Sequence, residues 1–429
     1  MGAFQQWLFK VVEDPVLVDK TLFHEIQHHT LSHLEDLVPA VRGLKTAEDA
    51  FKLQEQLLGL LYQVEEIEYL ATAKVRAGYD LDTRAEQFAA GRGSRQLRTI
   101  GDSLAWMVTN GDRRAIAALS QNDGPGRIYG KGPKGLEAEY ETVNAFWRQG
   151  HFALLHDITN CLRIDDMTIC NRIHREGVSD DHLCPEEDFG LHEVKANRRA
   201  KRSPEQLRRH EAAMAAINDS ADIQTKTGPR KQFRWSGGYE NHEDALVRVL
   251  DGAMVEGVAG EQIEDGWVIT AVRFIDWKPG VSAAEIIGSW EARRAELLQK
   301  AGMTTTATHR IHTGDIAGRL LKCIPYALFS MEPRTAAFLT GDWLMFDSTL
   351  SIDYLETRLK GAGMEVTRLN PEGTVMQATV GNHSISVNKG SLEHVLGELV
   401  KIDVWAKAMA AWAAEPGFVG DGELILSLR

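Results

Sequence analysis

The sequence predicts an α/β protein in three parts. These are an α-helical domain over residues 1–121, an α/β core over 135–278 and a mixed α/β domain over 279–429. Three observations carry the prediction. Apolar residues recur at helical spacing through 15–120; glycine and proline crowd 122–135; and from 136 onward short apolar runs of strand length alternate with helical stretches.

In the first part, Phe51, Leu53, Leu57, Leu58, Leu60, Leu61, Val64 and Ile67 form an apolar stripe with Glu and Gln between them. NDGPGRIYGKGPKG cannot continue a helix and marks the first boundary. The segment 136–149 is a helix with Tyr140, Val143, Phe146 and Trp147 near one face, stopped by Gly150. HFALLHDI (151–158), CLRIDDMTIC (161–170) and FGLHEVKA (189–196) are three expected strands, the second with two acids in its middle. A polar insertion, 171–188, separates the second from the third. Ser203-Pro204-Glu205-Gln206 is a capping box that opens a helix to about Ile217. A helix near 242–258 and a strand over 266–277 follow. Beyond them TTTATHRI, CIPYALFSM, DWLMFD, MEVTRL and TVMQATV are expected strands, and 391–413 an amphipathic helix.

The length of 429 residues suits about three domains of roughly 150 each. With 43% hydrophobic and 25% charged residues the chain is composed like a folded, soluble protein. No stretch approaches the ~18 consecutive apolar residues of a membrane span, so no membrane association is expected. The opening MGAFQQWLFKVVEDP lacks a secretory pattern. Four cysteines, Cys161, Cys170, Cys184 and Cys323, are too few for a disulfide scaffold, and a cytoplasmic location is expected. The formal charge of −13 excludes a uniformly basic surface, but the Lys and Arg are concentrated. Residues 195–209 hold Lys195, Arg198, Arg199, Lys201, Arg202, Arg208 and Arg209 against the single acid Glu205, a track suited to a phosphate backbone.

The chemistry lies where that track begins. Side chains two apart on a strand share a face, so Glu193 and Lys195 project together and Val194 points into the opposite layer. Asp166, on the neighbouring strand, is expected beside Glu193 across one inter-strand gap, and two adjacent carboxylates stay ionised together when a cation lies between them. Hard oxygen ligands in an incomplete cage suit Mg²⁺ or Mn²⁺, with water and substrate phosphate completing the shell. An ammonium beside them orients the attacking water or stabilises charge on phosphorus.

Asp166 and Glu193-Val194-Lys195, with one helix before and one after, resemble the PD-(D/E)xK nuclease superfamily over roughly residues 135–275. The resemblance implies a restriction-endonuclease-like α/β core, with Asp166 and Glu193 as metal ligands and Lys195 as the catalytic lysine. It also implies supporting roles for Glu139 on the first core helix and Gln206 on the helix after the lysine. RecB-like members place a tyrosine four residues beyond that glutamine, where this chain has His210. Asp165 is the alternative acid to Asp166, and no proline precedes either. The expected activity is metal-dependent phosphodiester hydrolysis of DNA, in restriction, anti-phage defence or repair. The flanking domains would select substrate or bind a protein partner. Cutting both strands needs two sites, which a homodimer provides. The contrasting expectation is a non-catalytic nucleic-acid- or protein-binding module.

Two further patterns point elsewhere. His24-Glu25-Ile26-Gln27-His28 matches HExxH, the pattern of a zinc peptidase helix, with Glu65, Glu66 or Glu68 available as third ligand. Cys170, His174, His182 and Cys184 could hold a structural zinc in the insertion, although their spacing follows no common pattern. A phosphate-binding glycine loop is excluded because 124–135 lacks the closing Lys-Ser/Thr.

Overall fold

The computed structural model describes residues 20–78, 81–109, 111–120, 127–129, 133–170, 189–192, 194, 203–218, 222–225, 228–230, 232–234, 240–274, 282–303, 308–312, 324–370, 375–414 and 425–427. Four helices come first: α1 (Lys20–Arg42), α2 (Ala47–Ala77), α3 (Leu81–Val108) and α4 (Arg113–Ser120). α2 begins in a capping box, the Thr46 hydroxyl accepting the Asp49 N–H while the Asp49 carboxylate accepts that of Thr46. Phe51, Leu53, Leu57, Leu58, Leu61 and Val64 are buried along it, the stripe seen in the sequence.

Most of the glycine- and proline-rich stretch, 122–126 and 130–132, lies outside the described residues. Helix α5 (Pro133–Arg148) then leads into strands β1 (Phe152–Leu155), β2 (Met167–Cys170) and β3 (Phe189–His192), and helix α6 (Pro204–Ile217) follows. The three strands form one antiparallel meander in the order β1-β2-β3, with Leu155 opposite Met167 and Met167 opposite His192. β1 is an edge strand, and α2 closes it. The Gln54 side chain donates to the Ala153 carbonyl at 2.9 Å and accepts the Leu155 N–H at 2.9 Å, as a further strand would.

These strands are shorter than the sequence reading. β1 gives way to a 3₁₀ turn at His156–Ile158, and β2 begins after its two acids. For β2 the reason is the backbone of Asp165, whose φ of 59° breaks the extended run just before Met167. The insertion 171–188 lies outside the described residues.

The rest of the chain is mixed α/β. Strands β4 (Ile223–Thr225) and β5 (Gly228–Arg230) form a hairpin, and β6 (Gln232–Arg234) pairs in parallel with β14 (Ile425–Ser427). Helix α7 (Glu243–Glu256) precedes an antiparallel sheet of order β7-β8-β10-β9, built from Val258–Glu264, Trp267–Arg273, Leu344–Ser351 and Thr308–His312. Helices α8 (Ala283–Lys300), α9 (Pro333–Thr340) and α10 (Ile352–Gly361) are interspersed with it. A second meander, β11 (Glu365–Arg368), β12 (Met376–Val380) and β13 (His383–Val387), precedes α11 (Lys389–Glu398) and α12 (Ile402–Ala413).

Two expectations are corrected in this part. CIPYALFSM contains a 3₁₀ turn at Tyr326–Leu328, closed by the Leu328 N–H on the Pro325 carbonyl, rather than a strand. The single helix over 391–413 is two, because Leu399 adopts φ 54°. The chain there turns aside to pair with 240–242 through the His242 N–H on Leu399 and the Lys401 N–H on Glu240. Buried apolar residues from Leu31 to Ala413 form one contiguous core across all three stretches. Polar contacts cross the same boundaries, with the Arg42 guanidinium donating to the Ala327 and Met331 carbonyls and the Gln96 amide to that of Gly341. No helix among the described residues is long and apolar enough to cross a membrane.

Candidate functional site

The acid-bearing turn between β1 and β2 is held from below by one face of α3. Arg98, Gly101 and Asp102 lie at i, i+3 and i+4, so they share that face. The Arg98 guanidinium donates to the Asp157 carbonyl at 2.7 Å and pairs with the buried Glu65 carboxylate, which also accepts the Tyr129 N–H at 3.0 Å. The Asp102 carboxylate accepts the backbone N–H groups of Asn160 and Cys161 and the Asn160 side-chain amide, at 2.6, 3.0 and 2.9 Å. Burial pushes the Asp102 carboxyl up from its ordinary range, and those donors oppose the shift. Between them, Gly101 lets the chain pass so closely that a Cβ there would lie 2.0 Å from the Ile158 carbonyl oxygen. Arg163 adds donors to the His156 and Thr159 carbonyls at 3.1 and 2.6 Å.

His156 ties this turn to β2. Its Nδ1 lies 3.2 Å from the Asp165 carbonyl and its Nε2 2.8 Å from the Thr168 hydroxyl. A carbonyl only accepts, so the ring is the neutral Nδ1–H tautomer, with Nε2 accepting from Thr168. Burial, reinforced by the nearby Arg163 charge, pushes the His156 pKa down from 6.5 to about 3. The unfolded chain therefore takes up a proton here between pH 6.5 and about 3 that the folded chain refuses. The stability contributed by keeping this ring neutral is complete above pH 6.5 and is lost as the pH falls towards 3, by about 1.4 kcal/mol per pH unit. Urea titrations at pH 7 and pH 5 are expected to show about 2 kcal/mol of acid destabilisation that His156→Gln removes. Equal pH slopes in the two proteins would contradict this account.

The two acids of the turn diverge. The Asp165 side chain, 2% exposed, accepts from His210 Nδ1 of α6 at 2.5 Å. The Asp166 carboxylate points the other way and accepts the Val194 N–H at 2.6 Å, while the Asp166 N–H donates to the His192 carbonyl at 3.1 Å. The chain neighbours on both sides of Glu193 thus bond to Asp166. Val194, just beyond the end of β3, packs against the core. Glu193 and Lys195 themselves lie outside the described residues, as do Arg198, Arg199, Lys201 and Arg202.

Of the supporting residues, Glu139 is 6% exposed while its neighbours Glu137 and Glu141 are exposed. The helix that buries it, α5, packs on the meander, with Phe146 edge-on to His192 of β3 at 5.3 Å. Gln206 closes the capping box, its Oε1 accepting the Ser203 N–H at 2.9 Å and its own N–H donating to the Ser203 hydroxyl at 3.1 Å. Arg208 is exposed and forms a two-pronged pair with Glu205, and Arg209 is half-buried.

The competing patterns fare differently. Glu25 and His28 are exposed on α1, His28 stacking on Trp343 at 6.0 Å, and the side chain of His24 lies outside the described residues. The three candidate third ligands are engaged elsewhere: Glu65 with Arg98, Glu66 with the Tyr129 hydroxyl and Glu68 with Arg127. Cys170 is buried in the apolar core, and His174, His182 and Cys184 lie outside the described residues. Among the described residues no three His, Cys, Asp or Glu groups converge as a metal cage would.

Sequence reasoning missed His156, Asp102 and the Asp165–His210 pair, which join residues far apart in the chain. The burial of Glu139 was readable, since it shares a helical face with Val143 and Phe146 at i+4 and i+7. No protein-family model matches the chain, and comparison with curated proteins and with solved structures finds no match to either.

Proposed function

We propose that this protein is a metal-dependent nuclease of the PD-(D/E)xK type, hydrolysing phosphodiester bonds in DNA, in restriction, anti-phage defence or repair. One observation carries the reading. Asp166 is hydrogen-bonded through its backbone to His192 and through its carboxylate to Val194, which brackets the Glu193 position of the Glu-Val-Lys motif. The order helix, three antiparallel strands, helix around it supports the same reading and a restriction-endonuclease-like core.

The donors suit a hard cation, because carboxylate oxygens select Mg²⁺ or Mn²⁺ over softer metals. Asp166 and Glu193 would hold the ion, which would supply positive charge at the scissile phosphate and favour deprotonation of the attacking water. Lys195 orients that water for in-line attack. The water gives up a proton to solvent as its oxygen bonds to phosphorus, the ester bond breaks, and the departing oxygen takes a proton from solvent. Glu139, buried beneath the sheet, and Gln206, at the start of α6, support the arrangement. Arg198, Arg199, Lys201, Arg202, Arg208 and Arg209 carry the backbone towards it, giving a steep loss of binding with salt.

The test is nicking of supercoiled plasmid with Mg²⁺ or Mn²⁺ by the wild type, Glu193→Ala and Lys195→Ala. Cleavage by the wild type with a loss of at least about 100-fold in both variants is expected. Equal behaviour of all three proteins would replace the nuclease with a non-catalytic binding module. Stoichiometric zinc that is lost in His24→Ala would point instead to a peptidase.

A further inference from the structure

Asp165 has a left-handed backbone, and two histidines of the site hold it there. Its carbonyl accepts from the buried His156, and its nearly inaccessible carboxylate accepts from His210. Aspartate enters that region more readily than most side chains, and here the hydrogen bonds to His156 and His210 fix it there. The consequence is geometric. Turning the chain at Asp165 is what sends the next carboxylate, Asp166, towards Val194 and not along the strand direction. His210 belongs to the helix that carries Arg208 and Arg209.

We infer that Asp165 and His210 form a positioning pair that locks helix α6 to the acid-bearing turn and so sets the register between a backbone phosphate bound on α6 and the Asp166 carboxylate. This rests on the nuclease reading of the same site. Neither residue needs to touch the metal. Asp165 acts through the direction of Asp166, and His210 acts by fixing the distance of its helix. The substrate consequence is that the pair governs turnover of a bound nucleic-acid strand and leaves its capture to the arginines.

The experiment combines plasmid nicking, Mn²⁺ calorimetry and thermal unfolding. Asp165→Gly removes the carboxylate while easing the left-handed backbone, and His210→Ala removes its partner from a half-exposed helical position. Both are expected to unfold cooperatively, to lose about 10- to 100-fold in kcat and Mn²⁺ affinity, and to change KM for plasmid by less than about threefold. The double variant should be no worse than the worse single, since the two act as one unit. Asp165→Asn, whose amide oxygen still accepts from His210, should stay within about tenfold of the wild type.

Wild-type kcat in Asp165→Gly and His210→Ala, alongside an inactive Asp166→Asn, would overturn the pair. Asp165→Asn as inactive as Asp166→Asn would overturn it differently, by making Asp165 the ligand. If Asp165→Gly does not fold, His210→Ala decides alone. A wild type that neither nicks plasmid nor takes up Mn²⁺ would remove the nuclease reading and this inference together.

Discussion

Gly101→Ala is expected to destabilise the protein by about 3 kcal/mol and, if the protein is the nuclease proposed above, to cost what still folds about 100-fold in cleavage. In an exposed helix the same change stabilises, because alanine is the better helix former by about 1 kcal/mol. Gly59 on α2, exposed and with nothing within 4 Å of an added Cβ, provides that control within the same molecule. At Gly101 the new atom would lie 2.0 Å from the Ile158 carbonyl oxygen and 2.7 Å from its carbon, both backbone atoms of the 3₁₀ turn. No rotamer relieves such a contact, so α3 and the turn must separate. Their separation stretches the three donors on Asp102 and the Arg98 bond to Asp157, and it moves His156 at the head of the turn. His156 holds the Asp165 carbonyl, so the displacement passes directly to the two acids. Urea denaturation of Gly59→Ala and Gly101→Ala should shift in opposite directions. A Gly101→Ala protein as stable as the wild type would mean that α3 does not hold this turn.

The same chain of contacts shows what was legible in the sequence. The helices of the first part carry an unbroken apolar stripe, and the Ser203 capping box is a purely local signal, so both are read directly from spacing. Asp166 and the Glu-Val-Lys motif are also local patterns, which is why the elements around the site were expected in the right order. What was not legible depends on contacts between distant residues. An aspartate permits a left-handed backbone, but nothing in the sequence near Asp165 requires one. It follows from His156 and His210, nine residues before it and 45 after it. Asp166 and Asp165 are adjacent in sequence, and only the fold parts them: Asp166 accepts from Val194 at the end of β3, while Asp165 accepts from His210 on α6. The corrected helix at 391–413 has the same origin, because its break at Leu399 is imposed by pairing with 240–242.

Arg98→Met is the second large effect. The Arg98 and Glu65 side chains are 2% and 4% exposed, so the substitution strands a carboxylate in a site with little water. Breaking a buried pair from one side costs about 3–5 kcal/mol, most of it the desolvated charge left behind. That origin predicts a rescue. Glu65→Gln removes the charge while its amide oxygen can still accept the Tyr129 N–H, so Arg98→Met with Glu65→Gln should be more stable than Arg98→Met alone by about 2 kcal/mol. A double variant as unstable as the single would show that packing around the guanidinium, and not the stranded charge, sets the cost. The cleavage activity proposed above should not follow stability. The double variant still lacks the donor to the Asp157 carbonyl, so the turn that carries His156 and, through it, Asp165 and Asp166 remains unheld. Recovery of folding without recovery of nicking would separate the two roles of Arg98: its charge neutralises Glu65, and its hydrogen bond aims the acids.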